Sequence, residues 1–220
     1  MSEHASSQGS GAGGWQWWQQ VARRVRVPLG FLTAAVYLVE AARRPPNPTA
    51  IAWSLVLVLP GLALRAAASG TVKKNRELTV TGPYAYTRNP LYLGSALIAA
   101  GFALALLSWP LALLFVILFA AVYIPVIASE EQFLRAVFPE FESYCRRVPR
   151  FIPRLTPSKF PPRQETSGVS QPVTQPADKG FSIALYLQHR EYNAALGAAL
   201  LYLCLIYLRS VLQGISRRAW

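Results

Sequence analysis

The feature that most constrains this chain is an apolar run over residues 109–128, WPLALLFVILFAAVYIPVIA, which contains no charged residue. Twenty helical residues rise about 30 Å, the thickness of the hydrocarbon core of a bilayer. A second uncharged run covers residues 91–107, and Ser108-Trp109-Pro110 forms the short connection between the two runs. The sequence therefore predicts a tight helical hairpin in a membrane.

Three further apolar runs cover residues 27–42, 50–68 and 193–212. They carry Glu40, Arg65 and Arg209 near their ends, where long side chains can reach the membrane interface. A content of 53% hydrophobic and 15% charged residues differs from that of soluble globular proteins. The first twenty residues lack the basic start and apolar core of a signal peptide, so we expect the first run to serve as an anchor. We predict an all-α membrane protein with about five transmembrane helices and a central helical hairpin.

The formal net charge is +12, from 22 Lys and Arg against 10 Asp and Glu. If the amino terminus is cytoplasmic, alternating helices place 17 of the 22 basic residues on the cytoplasmic side, whereas the Ser108 turn has no charge. This distribution follows the positive-inside rule, and it favours membrane lipids over nucleic acid as the partner of the basic residues. Arg43 and Arg44 fit the pattern poorly. We expect a multi-pass protein of a bacterial inner membrane.

We divide the chain into four segments. Residues 1–26 begin with a Ser/Gly-rich stretch, expected to be disordered over residues 1–14, followed by interfacial tryptophans. Residues 27–154 form the membrane core, residues 155–180 read as a Pro/Ser-rich linker, and residues 181–220 contain the last helix.

The cysteine and histidine residues are few. Cys145 and Cys204 lie in a basic segment and in a predicted helix, which implies no disulfide framework. His4 and His189 are too scattered for a histidine-based metal site, so we infer no metal.

A polar loop, ELTVTGPYAYTRNPLYLG, begins at Glu77 and precedes the hairpin. Asn89 is a good helix N-cap and Pro90 suits the first helical position, so part of the loop has a structural explanation. Capping does not explain Arg88 together with the loop tyrosines Tyr84, Tyr86 and Tyr92 at the start of a helix pair.

A second polar cluster, Ser129-Glu130-Glu131-Gln132, follows the hairpin. It has the pattern of a capping box at a helix start. However, two helices joined by a short turn return to the same membrane face, so Arg88 should lie near Glu130 and Glu131. Opposite charges and tyrosine rings would then line one interfacial pocket, which suits a zwitterionic, partly aromatic ligand. Spacing and composition do not identify that ligand.

Two other segments have competing interpretations. Residues 132–150 place phenylalanines at near-helical spacing beside arginines, which fits an amphipathic helix on anionic lipid or a lid over the pocket, with Tyr144 and Cys145 at that surface. In the last helix, Gly197 and neighbouring alanines form a small-residue face, which is typical of close helix packing and also allows a homodimer through this helix.

The two polar motifs resemble those of the isoprenylcysteine carboxyl methyltransferase family, which is similar to the phospholipid methyltransferases. The motifs are L-x-x-x-GPYAYTRNPLYLG, from Leu78, and EEQFLRAVFPEFESYCRRVPRFIP, from Glu130, in order around a hydrophobic hairpin. The resemblance covers roughly residues 50–154. It implies an integral membrane enzyme that takes a methyl group from S-adenosylmethionine in a pocket at the cytoplasmic face. No G-x-G-x-x-G fingerprint follows a predicted strand, which agrees with a site that is not a Rossmann domain.

The resemblance also implies site residues. Matching motif positions place the cofactor contacts on Arg76, Glu77, Leu78, Thr79, Tyr84, Asn89, Pro90, Leu91, Tyr92 and Glu131. Arg88 and Glu130 are the candidate catalytic residues, for substrate orientation or support of the cofactor's charged groups. Asn89 stands where the family often has histidine, which excludes a mechanism that needs an imidazole there. Ile127 stands where the prenylcysteine enzymes have a substrate-holding arginine, which argues against a prenylcysteine carboxylate.

The expected reaction is in-line displacement at the sulfonium methyl group, in a pocket that positions both reactants and excludes water. The acceptor stays open among a prenylcysteine carboxyl, a phospholipid amine, a small thiol and an isoprenoid or other lipid. A lipophilic acceptor could enter sideways between helices. Two alternatives are a non-enzymatic membrane scaffold or accessory protein and a basic module that binds lipid surfaces or nucleic acid.

Overall fold

The computed structural model describes residues 9–44, 47–72, 77–160 and 181–218, which form helices and no strand. The helices are α1 (Gly9–Arg43), α2 (Pro48–Thr71), α3 (Pro90–Ala105), α4 (Trp109–Leu118), α5 (Ile124–Val137), α6 (Phe141–Arg147), α7 (Ile183–Gln188) and α8 (Tyr192–Arg218). A 3-10 turn covers Gly82–Ala85, and a π-helical turn, Phe119–Tyr123, joins α4 to α5. The all-α prediction is confirmed.

Three helical segments are long and apolar enough to cross a membrane: Pro48–Thr71, Trp109–Val137 and Tyr192–Val211. The shorter α3 is apolar too, but its 16 residues span only about 24 Å. Each of the five predicted apolar runs is helical. Helix α1 is not among these three segments, and α3 is shorter than they are. A count of five crossings therefore stays a prediction.

The hairpin of α3 with the continuous α4–α5 helix closes as the sequence predicts. Leu107 adopts a left-handed conformation, φ 48°, in the turn, and Ser108 precedes α4. The Ser108 hydroxyl donates to Glu40 Oε1 at 3.2 Å, and Glu40 also pairs with Arg44 Nε at 2.8 Å. The end of α1 therefore lies beside the hairpin turn, and Glu40 neutralises one of the two arginines that fit the charge pattern poorly.

Helices α2 and α3 pack with their backbones close together. A Cβ built on Gly61 would lie 2.8 Å from the Gly94 carbonyl oxygen, and one on Gly101 would lie 2.9 Å from the Ser54 carbonyl oxygen. Glycine lets the two backbones approach in this way. The close approach fixes the end of α2 beside the start of α3, where both predicted motifs meet.

The carboxyl-terminal helices dock on the same end of α2. The Ser182 amide donates to the Gly70 carbonyl oxygen at 2.9 Å, and His189 Nδ1 lies 2.9 Å from the Ser69 carbonyl oxygen. Further along, the Tyr202 hydroxyl is 2.7 Å from Ser54 Oγ. Helix α8 therefore starts beside the end of α2 and runs back along it.

Helix α1 begins at Gly9, and residues 1–8 lie outside the described residues, so disorder near the amino terminus stays a prediction. One local prediction was wrong. Ser129 is buried within a helix that runs to Val137, so it is not a helix cap. The π-helical turn lets the apolar α4 pass into the polar end of α5 without a break.

The sequence also makes predictions for two further segments. Within the predicted linker, the Ser158 amide donates to the Ala85 carbonyl oxygen at 3.0 Å; residues 161–180 lie outside the described residues, and the linker stays a prediction. A Cβ on Gly197 would meet nothing within 4 Å, so Gly197 makes no close helix contact within this chain. A homodimer through α8 stays a prediction.

Candidate functional site

The loop before α3 is tied to the segment that follows α6. The Arg88 amide donates to the Pro149 carbonyl oxygen at 2.9 Å, and the Arg154 amide donates to the Tyr86 carbonyl oxygen at 3.0 Å. Buried Thr87 Oγ1 lies 3.2 Å from the carbonyl oxygens of residues 150 and 151. The two sequence motifs are therefore two halves of one hydrogen-bonded unit.

Asn89 and Pro90 begin α3 as predicted, but the Asn89 side chain does not cap the helix. Its Nδ2 atom instead donates to the Arg150 carbonyl oxygen at 3.1 Å. The predicted capping role of the side chain was wrong. In the structure, the side-chain amide of this buried residue links the two motifs.

Arg88 and Glu131 meet across the hairpin, which confirms their predicted proximity. Arg88 Nη1 lies 3.3 Å from Glu131 Oε1, with side-chain exposures of 14% and 5%. Arg150 also binds Glu131, with Nε 3.0 Å from Oε1 and a second contact from Nη2 to Oε2. This bidentate pairing raises the pKa of Arg150 through its side-chain hydrogen bond to Glu131. A buried carboxylate thus holds two guanidinium groups at one end of the hairpin.

Tyrosines surround this ion-pair cluster. Tyr92 Oη donates to Glu130 Oε1 at 2.8 Å, and its ring packs edge-on to Tyr123, with centroids 5.4 Å apart. Tyr144 Oη donates to the Tyr84 carbonyl oxygen at 2.8 Å. Burial raises the pKa values of Tyr84 and Tyr144, to which nearby carboxylates also contribute, so both hydroxyls stay neutral at physiological pH.

A cavity of about 500 Å³ opens among these residues. The predicted residues that line it are Glu77, Leu78, Thr79, Tyr84, Arg88, Asn89, Pro90, Leu91, Tyr92, Glu130 and Glu131. Arg76, also predicted, lies outside the described residues. The two predicted sets therefore surround one space between the ends of α2, α3 and α5, and its volume is in the range of small-ligand sites.

Sequence reasoning missed part of the lining. The missed residues are Arg65, Val72, Tyr123, Phe133, Leu134, Phe138, Phe141, Tyr144 and Glu191. Arg65 Nε lies 3.1 Å from Glu191 Oε2, and Arg65 Nη1 contacts the Leu91 carbonyl oxygen at 3.4 Å and Ser95 Oγ. No motif signals this pair, because Glu191 follows a long polar stretch. The sequence signal for Arg65 was its position inside a predicted membrane span, because charged residues there generally mark functional positions.

The segment that follows the hairpin is not a single amphipathic helix. Helix α5 ends at Val137, and α6 begins at Phe141 after a turn. Phe141 and Tyr144 are buried in a cluster with the loop before α3, so the prediction that Tyr144 faces a lipid surface was wrong. Cys145 Sγ accepts a hydrogen bond from Arg88 Nη1 at 2.8 Å.

The cavity is lined by charged groups of both signs. Its described lining contains the carboxylates of Glu77, Glu130, Glu131 and Glu191 and the guanidinium groups of Arg65 and Arg88. Glu191 pairs with Arg65, and Glu131 pairs with Arg88 and Arg150, so the lining suits a zwitterionic ligand. In the part of the chain that the structure describes, no three His, Cys, Asp or Glu residues are grouped so that they could hold a metal ion.

Apolar helices of membrane-spanning length and a polar cavity at one end of a hairpin together define an all-helical membrane protein with a ligand-sized site. Residues 52–140 match the sequence profile of the family described as phospholipid methyltransferase. This match confirms the resemblance inferred from the two motifs, over somewhat less than half of the chain.

Two curated proteins are similar over 84 residues each. The nickel-cobalt-cadmium resistance protein NccN of Alcaligenes xylosoxydans xylosoxydans is 42% identical, and the cobalt-zinc-cadmium resistance protein CzcN of Cupriavidus metallidurans is 39% identical. Each alignment covers 38% of this chain and 39% of the relative. The chain thus matches well under two thirds of the length of these relatives. No solved structure matches the chain.

Proposed function

We propose that this protein is an S-adenosylmethionine-dependent methyltransferase that acts on a lipophilic acceptor at the cytoplasmic face of a bacterial inner membrane. The observation that carries the proposal is the convergence of both family motifs on one cavity lined by tyrosines and by charged groups of both signs. The basic residues that favour a cytoplasmic orientation, such as Arg88, Arg135 and Arg150, also lie at this end of the helices.

The cavity residues fit the donor in charge and in chemistry. S-adenosylmethionine carries an ammonium, a sulfonium and a carboxylate, and the lining offers groups of both signs to these charges. The guanidinium group of Arg88, which lines the cavity, is the candidate partner of the donor's carboxylate. The rings of Tyr84, Tyr92 and Tyr144 supply faces for a base or a sulfonium cation.

The named residues then have separate roles. Glu131, whose oxygens already bind Arg88 and Arg150, positions Arg88 rather than contacting the donor with a free oxygen. Glu130, which faces the cavity and accepts from Tyr92, can receive a proton from an amine acceptor. Phe133, Phe138 and Phe141 line the cavity and supply apolar walls, which favour the exclusion of water from a bound donor.

The donor, when bound, supplies an electrophilic methyl group on a sulfonium. Transfer forms a bond from the acceptor's nucleophilic atom to the methyl carbon and breaks the sulfur–carbon bond, whose electron pair returns to sulfur as a neutral thioether.

The acceptor classes under consideration are a prenylcysteine carboxyl, a phospholipid amine, an isoprenoid lipid and a small thiol. The related NccN and CzcN are named as metal resistance proteins. If this chain takes part in metal resistance, we propose that it does so by methyl transfer rather than by holding a metal ion. Its described residues contain no group of three metal-ligating side chains.

Calorimetric titration of S-adenosylmethionine into purified protein in detergent tests the proposal. We expect saturable binding that Tyr84→Ala and Glu131→Ala abolish and that Glu142→Ala preserves, because the Glu142 pair with Arg135 is exposed and outside the cavity. Membranes that contain the protein and a methyl-labelled donor should then transfer label to lipid, protein or a thiol. Well-folded protein that binds no donor would favour the scaffold alternative.

A further inference from the structure

The amino-terminal part of α1 contains the tryptophans that the sequence analysis assigns to the membrane interface. Trp17 and Trp18 are exposed, and the N–H group of such a ring usually points toward water and lipid head groups. Trp18 Nε1 instead donates to the Ala121 carbonyl oxygen at 3.1 Å. This hydrogen bond joins α1 to the π-helical turn between α4 and α5, and the proposed function does not account for it.

The Ala121 carbonyl oxygen lacks the hydrogen-bond partner that an α-helix would normally provide. That partner would be the amide N–H of residue 125, but Pro125 has no N–H. A backbone carbonyl among apolar helices needs a partner within the protein, because the bilayer core offers none. The indole N–H of Trp18 supplies this partner from a different helix.

Helix α1 contacts the α4–α5 helix at a second point, close to the site residues. Gln19, the buried residue that follows the tryptophan pair, has its Nε2 atom 3.5 Å from Gln132 Oε1. Glu130 and Glu131 lie between Ala121 and Gln132 along the chain. The amino-terminal part of α1 therefore supports the α4–α5 helix on both sides of these two carboxylates.

The π-helical turn sets the direction in which the later residues of the α4–α5 helix face. A π turn adds one residue to a helical turn, so the residues beyond it are rotated by about 100° relative to an uninterrupted α-helix. Tyr123, within the turn, lines the cavity, stacks on Phe119 and packs edge-on to Tyr92. Glu131, beyond the turn, meets Arg88. Both placements depend on the π-helical turn.

We propose that Trp18 is a positioning residue for the cavity. Its indole N–H takes the place of the amide that residue 125 lacks, stabilises the π-helical turn and thereby orients Tyr123 toward the methyl donor. This inference rests on the proposed function. Trp18 lies outside residues 52–140, which match the phospholipid methyltransferase family, so the family match does not account for this role. A tryptophan at the membrane interface thus acts on a site inside the protein.

Calorimetric titration of S-adenosylmethionine into the protein in phosphatidylcholine nanodiscs tests the role of Trp18. Trp18→Phe keeps an aromatic ring at the interface and removes the indole N–H. We expect it to weaken the affinity for S-adenosylmethionine about three- to tenfold, the range for the loss of one hydrogen bond. The matched control is Trp17→Phe, which makes the same change at the neighbouring exposed ring and should preserve the wild-type affinity.

A second background separates this positioning role from a general loss of stability. Pro125→Ala restores an amide N–H at residue 125, which can donate to the Ala121 carbonyl oxygen. In the Pro125→Ala background, Trp18→Phe should change the affinity less than about twofold, because the carbonyl then has a partner in its own helix. An equal loss of affinity in both backgrounds, or wild-type affinity of Trp18→Phe alone, overturns the inference.

Hydrogen exchange at residues 119–126 is measured on the same preparations and needs no methyl donor. We expect faster exchange in Trp18→Phe than in Trp17→Phe, because the π-helical turn opens more often without the indole N–H. Equal exchange in these two variants also overturns the inference. Wild-type protein that binds no S-adenosylmethionine refutes the proposed function instead, so the two failures are distinguishable.

Discussion

Arg88 Nη1 lies 3.3 Å from Glu131 Oε1, although a complete helical hairpin separates the two residues along the chain. Both side chains are largely buried, and Arg150 binds the other carboxylate oxygen. This triad joins the start of α3 to the end of α5 and contributes to one wall of the cavity at this end of the hairpin. Four testable predictions concern this triad, the residues bound to it and the packing of α2 on α3.

Replacement of Glu131 by glutamine should destabilise the protein and weaken donor binding. Removing one partner of a buried ion pair leaves uncompensated charge, at a cost of about 3–5 kcal/mol. The matched control is Glu142→Gln, whose partner Arg135 lies at 3.3 Å on the exposed surface, where a pair contributes only about 0–1 kcal/mol. Thermal unfolding in detergent measures the stability of both variants. Equal losses of stability would contradict the burial of the Glu131 ion pairs.

Replacement of Asn89 by aspartate should be more damaging than replacement by alanine. Asn89 Nδ2 donates to the Arg150 carbonyl oxygen at 3.1 Å, whereas a carboxylate would set an acceptor against an acceptor. We expect losses of about 1–3 kcal/mol for Asn89→Asp and about 0.5–1.5 kcal/mol for Asn89→Ala.

Asn193→Asp is the control for this series, because Asn193 is exposed in the first turn of α8, where negative charge is favourable. Thermal unfolding ranks the variants. An Asn89→Asp protein as stable as the wild type would contradict the assigned hydrogen bond.

Gly101→Ala should disturb the α2–α3 contact, because its Cβ would lie 2.9 Å from the Ser54 carbonyl oxygen and 2.5 Å from Val58 Cγ2. Overpacking of this kind costs about 1–3 kcal/mol. Gly30→Ala introduces the same methyl group into open space and should leave folding unchanged. Yield of monodisperse protein and its melting temperature give the comparison, and similar behaviour of the two variants would count against close α2–α3 packing.

Tyr144→Phe should lower stability at neutral pH by about 0.5–1.5 kcal/mol, through loss of the hydrogen bond to the Tyr84 carbonyl oxygen. Burial raises the pKa of Tyr144, so its stabilising contribution is fully present below the unfolded-state pKa of about 10 and declines as the pH rises above that value. The stability gap between wild type and variant should therefore narrow in alkaline solution.

Chemical denaturation at a series of pH values measures this gap. Tyr207→Phe, on the exposed face of α8, is the control and should match the wild type. A gap between wild type and Tyr144→Phe that widens with pH would contradict the assignment of Tyr144 as a buried donor.

The hairpin and the position of the site could be predicted because both depend on local pattern. Long uncharged runs have to be helical in a bilayer, and a short turn brings the two ends of a hairpin to one face. This reasoning predicts Arg88 near Glu131, as the structure confirms. It failed at Ser129, because a capping pattern can also occur inside a helix that continues.

The sequence by itself thus determined the all-helical class, the hairpin and the residues whose charges meet at its open end, since long uncharged runs and a short turn suffice for these. Only the tertiary structure left an apolar cavity between the helices, lined by Gly30 and Gly197. It also paired Arg65 with Glu191 and turned the Asn89 side-chain amide toward the Arg150 carbonyl oxygen. These contacts join segments distant along the chain, and side-chain packing between helices decides them without any local sequence signal.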